Sequence, residues 1–297
     1  MTTTGRPAKV FHRPVMVNEV LEYLEPEAGT VVDCCAGGGG HALAILKRLR
    51  RGRLLGIDAD PEAIASTRRR LGKYENVELV HGSYTEMAAI VRRLELAPVT
   101  GVLMDLGVSL HQLQCPERGF GFDSDGPIDM RFDQTARVPS ALDLLRRTSL
   151  RHLQDWLKFY GEEPFARRIG RRIFERRHEL RTTGQLAGIV RSAVPARRAR
   201  KTLARVFQAF RIATNHELEN VRAGLDMALD TLADGGRLVV ISYHSLEDRL
   251  AKLALREGKR LGKVRILTPK PIRPQEEEVR RNPAARSARL RAGEVLK

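Results

Sequence analysis

The apolar run Thr30-Val31-Val32-Asp33-Cys34-Cys35 ends in four consecutive glycines, 37–40, and an amphipathic stretch from His41 to Leu49 follows at once. An unbroken apolar run of strand length, then a glycine break, then helical periodicity describes a buried strand turning into a helix. The unit repeats. Arg53–Asp58 is a second buried run, and Asp60-Pro61 after it places an N-cap residue before a proline at the first helical position. Val77–Val80 is a third run, with Ser83 and Glu86 at capping-box spacing before Met87–Val91. Val102–Leu106 is a fourth. Alternation of this kind requires parallel strands joined by right-handed crossovers, so the predicted fold is α/β, a doubly wound sheet.

The alternation stops after strand four. From Phe132 to Arg211 the pattern is helical: Ala141–Arg147, Leu150–Tyr160, Pro164–Arg177, Gln185–Ala193 and Leu203–Ile212. It then resumes with a helix from Asn215 to Leu232, a turn at Asp234-Gly235-Gly236, and a fifth strand, Arg237–Ser242. Ser245 and Asp248 are placed to cap a further helix. Val264–Leu267 and Ser287–Arg291 are read as a closing antiparallel pair, and Gln275–Glu278 as a solvated turn. The predicted organisation is a sheet domain in two pieces, 1–131 and 212–297, interrupted by an all-helical insertion, 132–211.

Charge follows the same division. The chain carries 52 Lys and Arg against 36 Asp and Glu, a formal +16. Residues 1–133 are close to neutral, whereas 134–211 hold 19 basic and only 6 acidic side chains, nearly all of the basic ones Arg. Arginine in excess over lysine suits a planar, bidentate anion such as phosphate. With 42% hydrophobic residues the chain buries a core, which excludes a disordered polybasic segment. Three cysteines, two of them adjacent, make neither a disulfide framework nor a zinc site, so no metal is expected. No apolar run reaches signal-peptide or membrane-spanning length, and a reducing cytoplasm is the expected setting.

The glycines 37–40 and the helix start after them suit an anionic or nucleoside ligand, and Asp58, ending strand two, suits its ribose hydroxyls. Gly37-x-Gly39-x-x-Ala42 also fits the dinucleotide fingerprint, so NAD and S-adenosylmethionine both agree with it. Asp105-Leu106-Gly107-Val108-Ser109 places an acid, a glycine bend and a hydroxyl at the end of strand four, where α/β sheets bind ligands; Asp105 as a plain loop cap is the alternative. Phe120 and Phe122, in a glycine-rich stretch, are read either as a stacking surface for a base or as a plug into the core. Arg168, Arg172 and Arg176 recur every four residues beside a buried stripe of Ile169 and Ile173, as a phosphate-binding helical face would have them. Ser242 and His244 sit near acids, but no nucleophile elbow accompanies them, which argues against a hydrolase.

These stretches, in order, resemble the MraW/RsmH methyltransferases. The matching residues are His12-Arg13-Pro14-Val15, Gly38–His41, Gly56–Pro61, Asp105–Ser109, Glu117–Phe120, Gly126–Arg131, Tyr160–Glu163, Phe207–Ile212, Ile241–Arg249 and Arg286–Arg291. The resemblance implies a Rossmann-like class I methyltransferase sheet, S-adenosylmethionine as cofactor, and methylation of the N4 amine of a cytidine in small-subunit ribosomal RNA. It implies that Gly39, Gly40, His41, Asp58, Tyr84, Asp105 and Gln112 contact the cofactor, with Asp105 and the Leu106–Ser109 loop, Ser109 included, at the reacting amine. Tyr84 stands where the family often has Phe, Leu110-His111 where it has Ser-Pro, and Thr202–Ala204 where it has Pro-Ala-Thr. Arg168, Arg172, Arg176 and Phe120 are expected at the RNA, no membrane partner is expected, and a homodimer is compatible with the sequence. Two rivals remain: a nicotinamide-dependent oxidoreductase, which leaves the basic insertion without a role, and an RNA-binding assembly protein without catalysis.

Overall fold

The computed structural model describes residues 14–297, so His12 and Arg13 lie outside the described residues. The first elements are α1 (Val17–Leu24), β1 (Ala28–Asp33), α2 (Gly40–Arg48), β2 (Arg51–Asp58), α3 (Pro61–Leu71), β3 (Val77–His81), α4 (Met87–Arg93) and β4 (Val99–Asp105). Helices follow: α5 (Leu110–Gln114), α6 (Ala141–Arg147), α7 (Leu150–Asp155), α8 (Ala166–Arg176), α9 (Thr183–Ala193) and α10 (Ala196–Asn215). The chain closes with α11 (Glu217–Thr231), β5 (Leu232–Ser242), α12 (Ser245–Arg260), β6 (Val264–Ile266), α13 (Glu276–Arg281) and β7 (Arg289–Val295). It divides into two compact units, one formed by the chain up to His111 with Val221–Lys297, the other by Gln112–Asn220.

The first unit is built on a seven-stranded sheet of order β3-β2-β1-β4-β5-β7-β6. Strands β1 to β5 pair in parallel, and β7 runs antiparallel to both β5 and β6. Neighbouring residues of each strand go to opposite faces, which is why the strands read as unbroken apolar runs. Val31, Leu54, Leu103 and Val239 pack with Val20 and Leu24 of α1, Ile45 of α2 and Leu71 of α3. Val32, Leu55, Val102 and Val240 pack on the other face with Ile90 of α4, Leu225 of α11 and Leu255 of α12. Both layers are all but fully excluded from solvent, and they hold the carboxyl ends of β1, β2, β4 and β5 at one edge.

Several sequence expectations shift in detail. Cys34 and Cys35 fall just past β1, with the Cys35 N–H bonded to Asp33 Oδ1 at 3.3 Å. Asp234-Gly235-Gly236 is a bulge inside β5: the register jumps from Val99 opposite Leu232 to Gly101 opposite Arg237, and Gly235 has φ +70°. Ser83 caps a short 3-10 turn, Tyr84–Glu86, through the Thr85 N–H rather than closing a capping box. The cap of α12 is His244, not Ser245: its ring accepts from the Glu247 N–H while Glu247 returns to the His244 N–H. Asp248 instead pairs with Arg289 and Arg291. Gln275–Glu278 begins α13, three glutamates favouring its positive end.

In the second unit α8 shows the expected pattern. Ile169 and Ile173 are buried, while Arg167, Arg168, Arg171, Arg172 and Arg176 are exposed. Helix α10 is longer than its apolar pattern, since the segment Ala196–Lys201 adds mostly basic, exposed turns before the buried stripe starts at Thr202. Helix α7 ends at Asp155 and the chain continues through one π-helical turn, Trp156–Tyr160, so the expected helix to Tyr160 is irregular. Gln208 satisfies the Tyr160 carbonyl, donating at 2.7 Å.

Candidate active site

The glycine loop leaves β1 and enters α2 at Gly40. Gly37 and Gly39 have φ of +52° and +71°, a region that side chains with a Cβ avoid. Gly40 lies against Pro14 and Gly39 against Thr67, so that side of the loop is packed. A Cβ on Gly37 would meet only the Cys35 carbonyl oxygen, at 3.7 Å, so its face is open.

Asp58 fixes this loop. Its Oδ2 accepts the Gly37 N–H at 2.7 Å and its Oδ1 the Asp60 N–H at 2.8 Å. Each oxygen keeps a lone pair for a further donor, and the residue is only half-buried. Low-dielectric surroundings push its pKa up to about 6, against the two N–H bonds and helped by the charges of Asp60 and Asp33. A two-oxygen acceptor at the end of β2 beside an open glycine loop fits the ribose of a nucleoside cofactor. Tyr84 follows β3, where its ring packs on α11: a Cβ on Gly224 would come within 2.5 Å of Tyr84 Cδ2.

Asp105 ends β4 and is 9% exposed. Its Oδ1 accepts from the Tyr243 hydroxyl at 2.9 Å, and its Oδ2 lies 3.4 Å from His41 Nδ1. The other ring nitrogen, Nε2, is 2.8 Å from the Val15 carbonyl, which only accepts, so Nε2 carries a hydrogen. Burial disfavours a charged His41, but Asp105, Asp33 and the Val15 carbonyl outweigh it and hold the pKa above its ordinary value. Burial, then the Asp105 charge, raises the Tyr243 pKa well above the phenol range, so the hydroxyl stays a donor. Glu247 pins the turn that carries Tyr243, accepting its N–H at 2.9 Å and lying 3.1 Å from His244 Nε2. No sequence motif marks Tyr243 and Glu247 as site residues, although Tyr243 sits just beyond the end of β5, as Asp105 stands at the end of β4. Ser109 lies half-buried in the loop after β4, where Gly107 has φ +96°.

In the second unit, Gln112 is buried on α5. Phe120 is 4% exposed and stacked on Phe132, centroids 5.7 Å apart. Its ring plugs the core of that unit, so the expected base contact there is corrected: no ring face is open. Arg168 and Arg176 are exposed on α8, whereas Arg172 donates to the Ser192 carbonyl at 2.6 Å, closing the end of α9. The three arginines are therefore not equivalent.

A sheet of this order with antiparallel β7 between β5 and β6, a glycine loop after β1 and a carboxylate ending β2 defines a class I S-adenosylmethionine-dependent methyltransferase. The chain matches the MraW methylase family over residues 9–296 and belongs to it. It is 46% identical over 294 residues to ribosomal RNA small subunit methyltransferase H of Thermotoga neapolitana, covering 96% of each chain. The protein of the same name from Pseudothermotoga lettingae is 44% identical, covering 96% of this chain and 99% of that one. That from Thermomicrobium roseum is 43% identical over 312 residues, 98% and 95% of the two chains. Among the described residues no helix is long and apolar enough to cross a membrane.

Proposed function

We propose that this chain transfers the methyl group of S-adenosylmethionine to the exocyclic N4 amine of one cytidine in small-subunit ribosomal RNA, in the cytoplasm. The observation that carries the reading is the buried Asp105, held between Tyr243 and His41 at the carboxyl edge of a methyltransferase sheet. The names of the relatives, ribosomal RNA small subunit methyltransferases, support the substrate.

Bound S-adenosylmethionine supplies an electrophilic sulfonium methyl. Gly39, Gly40 and His41 would form the loop that holds it, Asp58 would accept from its ribose, and the Tyr84 ring would meet its adenine. Because the cofactor is already reactive, the chain's work is chiefly alignment of an in-line displacement. The N4 lone pair of cytosine is delocalised into its ring. Asp105, assisted by main-chain carbonyls up to Ser109, accepts from the amine, restores basicity to its nitrogen and stabilises the positive charge that develops there. The base has to leave its stack to be reached. The helical residues 132–211, with Arg168 and Arg176 exposed, hold the RNA backbone while the sheet unit does the chemistry.

The test is the Asp105→Asn variant. It retains shape but loses charge, and single-turnover methyl transfer is expected to fall by about 10²–10⁴-fold. Full turnover with unchanged cofactor binding in that variant would remove Asp105 from the chemistry.

A further inference from the structure

Phe165 precedes α8, and its ring carries two guanidinium groups from different helices. Arg168 lies 5.1 Å from the ring centroid and Arg198, in the first turn of α10, lies 5.4 Å from it. The two charges are thus no further apart than the sum of those distances, and both side chains are exposed. The platform is rigid: the Phe165 N–H donates to Oε1 of Glu163 at 3.0 Å, and Glu163 is buried, with Arg205 3.7 Å from its other oxygen. Stacking on one ring removes much of the rotamer freedom that a solvated arginine loses on binding.

Both charges lie over one ring at the surface, and among the described residues neither forms an ion pair. Arg197 and Arg198 also stand in the first turn of α10, which holds no acidic residue, so both oppose the helix dipole. Two guanidiniums over one ring, with no acidic residue in the first turn of α10, favour an anion that reaches both. Guanidinium presents paired N–H donors that match phosphate oxygens.

We propose that Arg168 and Arg198, seated on Phe165, form a clamp for one backbone phosphate of the RNA substrate. The clamp joins α8 to α10 and adds Arg198 and Phe165 to the RNA-binding face. It rests on the reading of this chain as an RNA methyltransferase and specifies which backbone contact the helical unit makes.

The probe is an unmodified small-subunit ribosomal RNA transcript, with binding followed against salt concentration, together with calorimetry of S-adenosylmethionine. Arg198→Ala is expected to weaken RNA binding by roughly tenfold near 0.1 M salt, to reduce the slope of log affinity against log salt by about 1, and to leave cofactor affinity unchanged. Arg198→Lys is expected to restore the slope but only part of the affinity, because an ammonium lacks the paired donors. Phe165→Leu is expected to weaken binding while keeping the slope, since both charges remain. If the wild type binds and methylates the RNA and Arg198→Ala matches it in affinity and slope, the clamp is wrong and the functional reading stands. If the wild type binds no RNA, both fall.

Discussion

Asp58 is the residue whose protonation the structure exposes to test. Its two oxygens already hold the glycine loop and the turn into α3, and its pKa is raised to about 6. In the proposed cofactor contact ribose hydroxyls donate to an ionised Asp58, so binding S-adenosylmethionine favours the deprotonated form. Affinity measured by calorimetry is expected to fall by about tenfold per pH unit below 6, and Asp58→Asn is expected to bind weakly with that dependence flattened. The sign for stability is opposite. A folded-state pKa above the ordinary 3.8 means that the folded chain holds this proton more tightly. The contribution of the group is full below about pH 4 and is lost as pH rises towards 6, so in cofactor-free protein the melting temperature of the wild type should fall relative to Asp58→Asn as pH rises from 4 to 7. Melting temperatures that move in parallel across this window contradict the assignment. Asp58 and Asp105 were legible from their places at the ends of strands. Tyr243 was not, because a tyrosine beyond an apolar run reads as packing until the fold brings it to Asp105.

At the scale of elements, helices position the site by close approach. Gly224 of α11 leaves room for the Tyr84 ring, and a methyl group there has no space. Gly224→Ala is expected to displace the ring and weaken cofactor binding by several-fold, although alanine is the better helix former. Unchanged affinity would mean that Tyr84 does not contact the cofactor. The arginines of α8 separate in the same way. Arg176→Glu and Arg168→Glu should weaken RNA binding with little change in melting temperature, whereas Arg172→Glu should also lower it, because the Ser192 carbonyl loses its donor. Strands and the helices flanking them were readable because their periodicity matches their burial. The π-helical turn, the β5 bulge and the His244 cap were not. The π-helical turn and the β5 bulge take hydrogen bonds from distant residues, Gln208 and Lys297, and the His244 cap is local but histidine is not among the usual capping residues.

For the whole molecule, the sequence already separated a near-neutral sheet from a basic helical segment, and the structure divides at His111 and Asn220. The proposed cofactor residues Asp58 and Asp105 stand at the carboxyl ends of β2 and β4, and exposed arginines are dense on α8 and at the start of α10. What composition hid is the internal use of the charge. Arg118 and Arg211 are occupied within the helical unit, by the main chain of Arg131 and Phe132 and by Glu217, so only part of the positive excess is available to a partner. The most direct measurement incubates the protein with methyl-labelled S-adenosylmethionine and unmodified small ribosomal subunits, then maps the label to atom and nucleotide. A single cytidine labelled on N4 is the predicted result; label on another atom or base, or no transfer to small-subunit RNA, would contradict it.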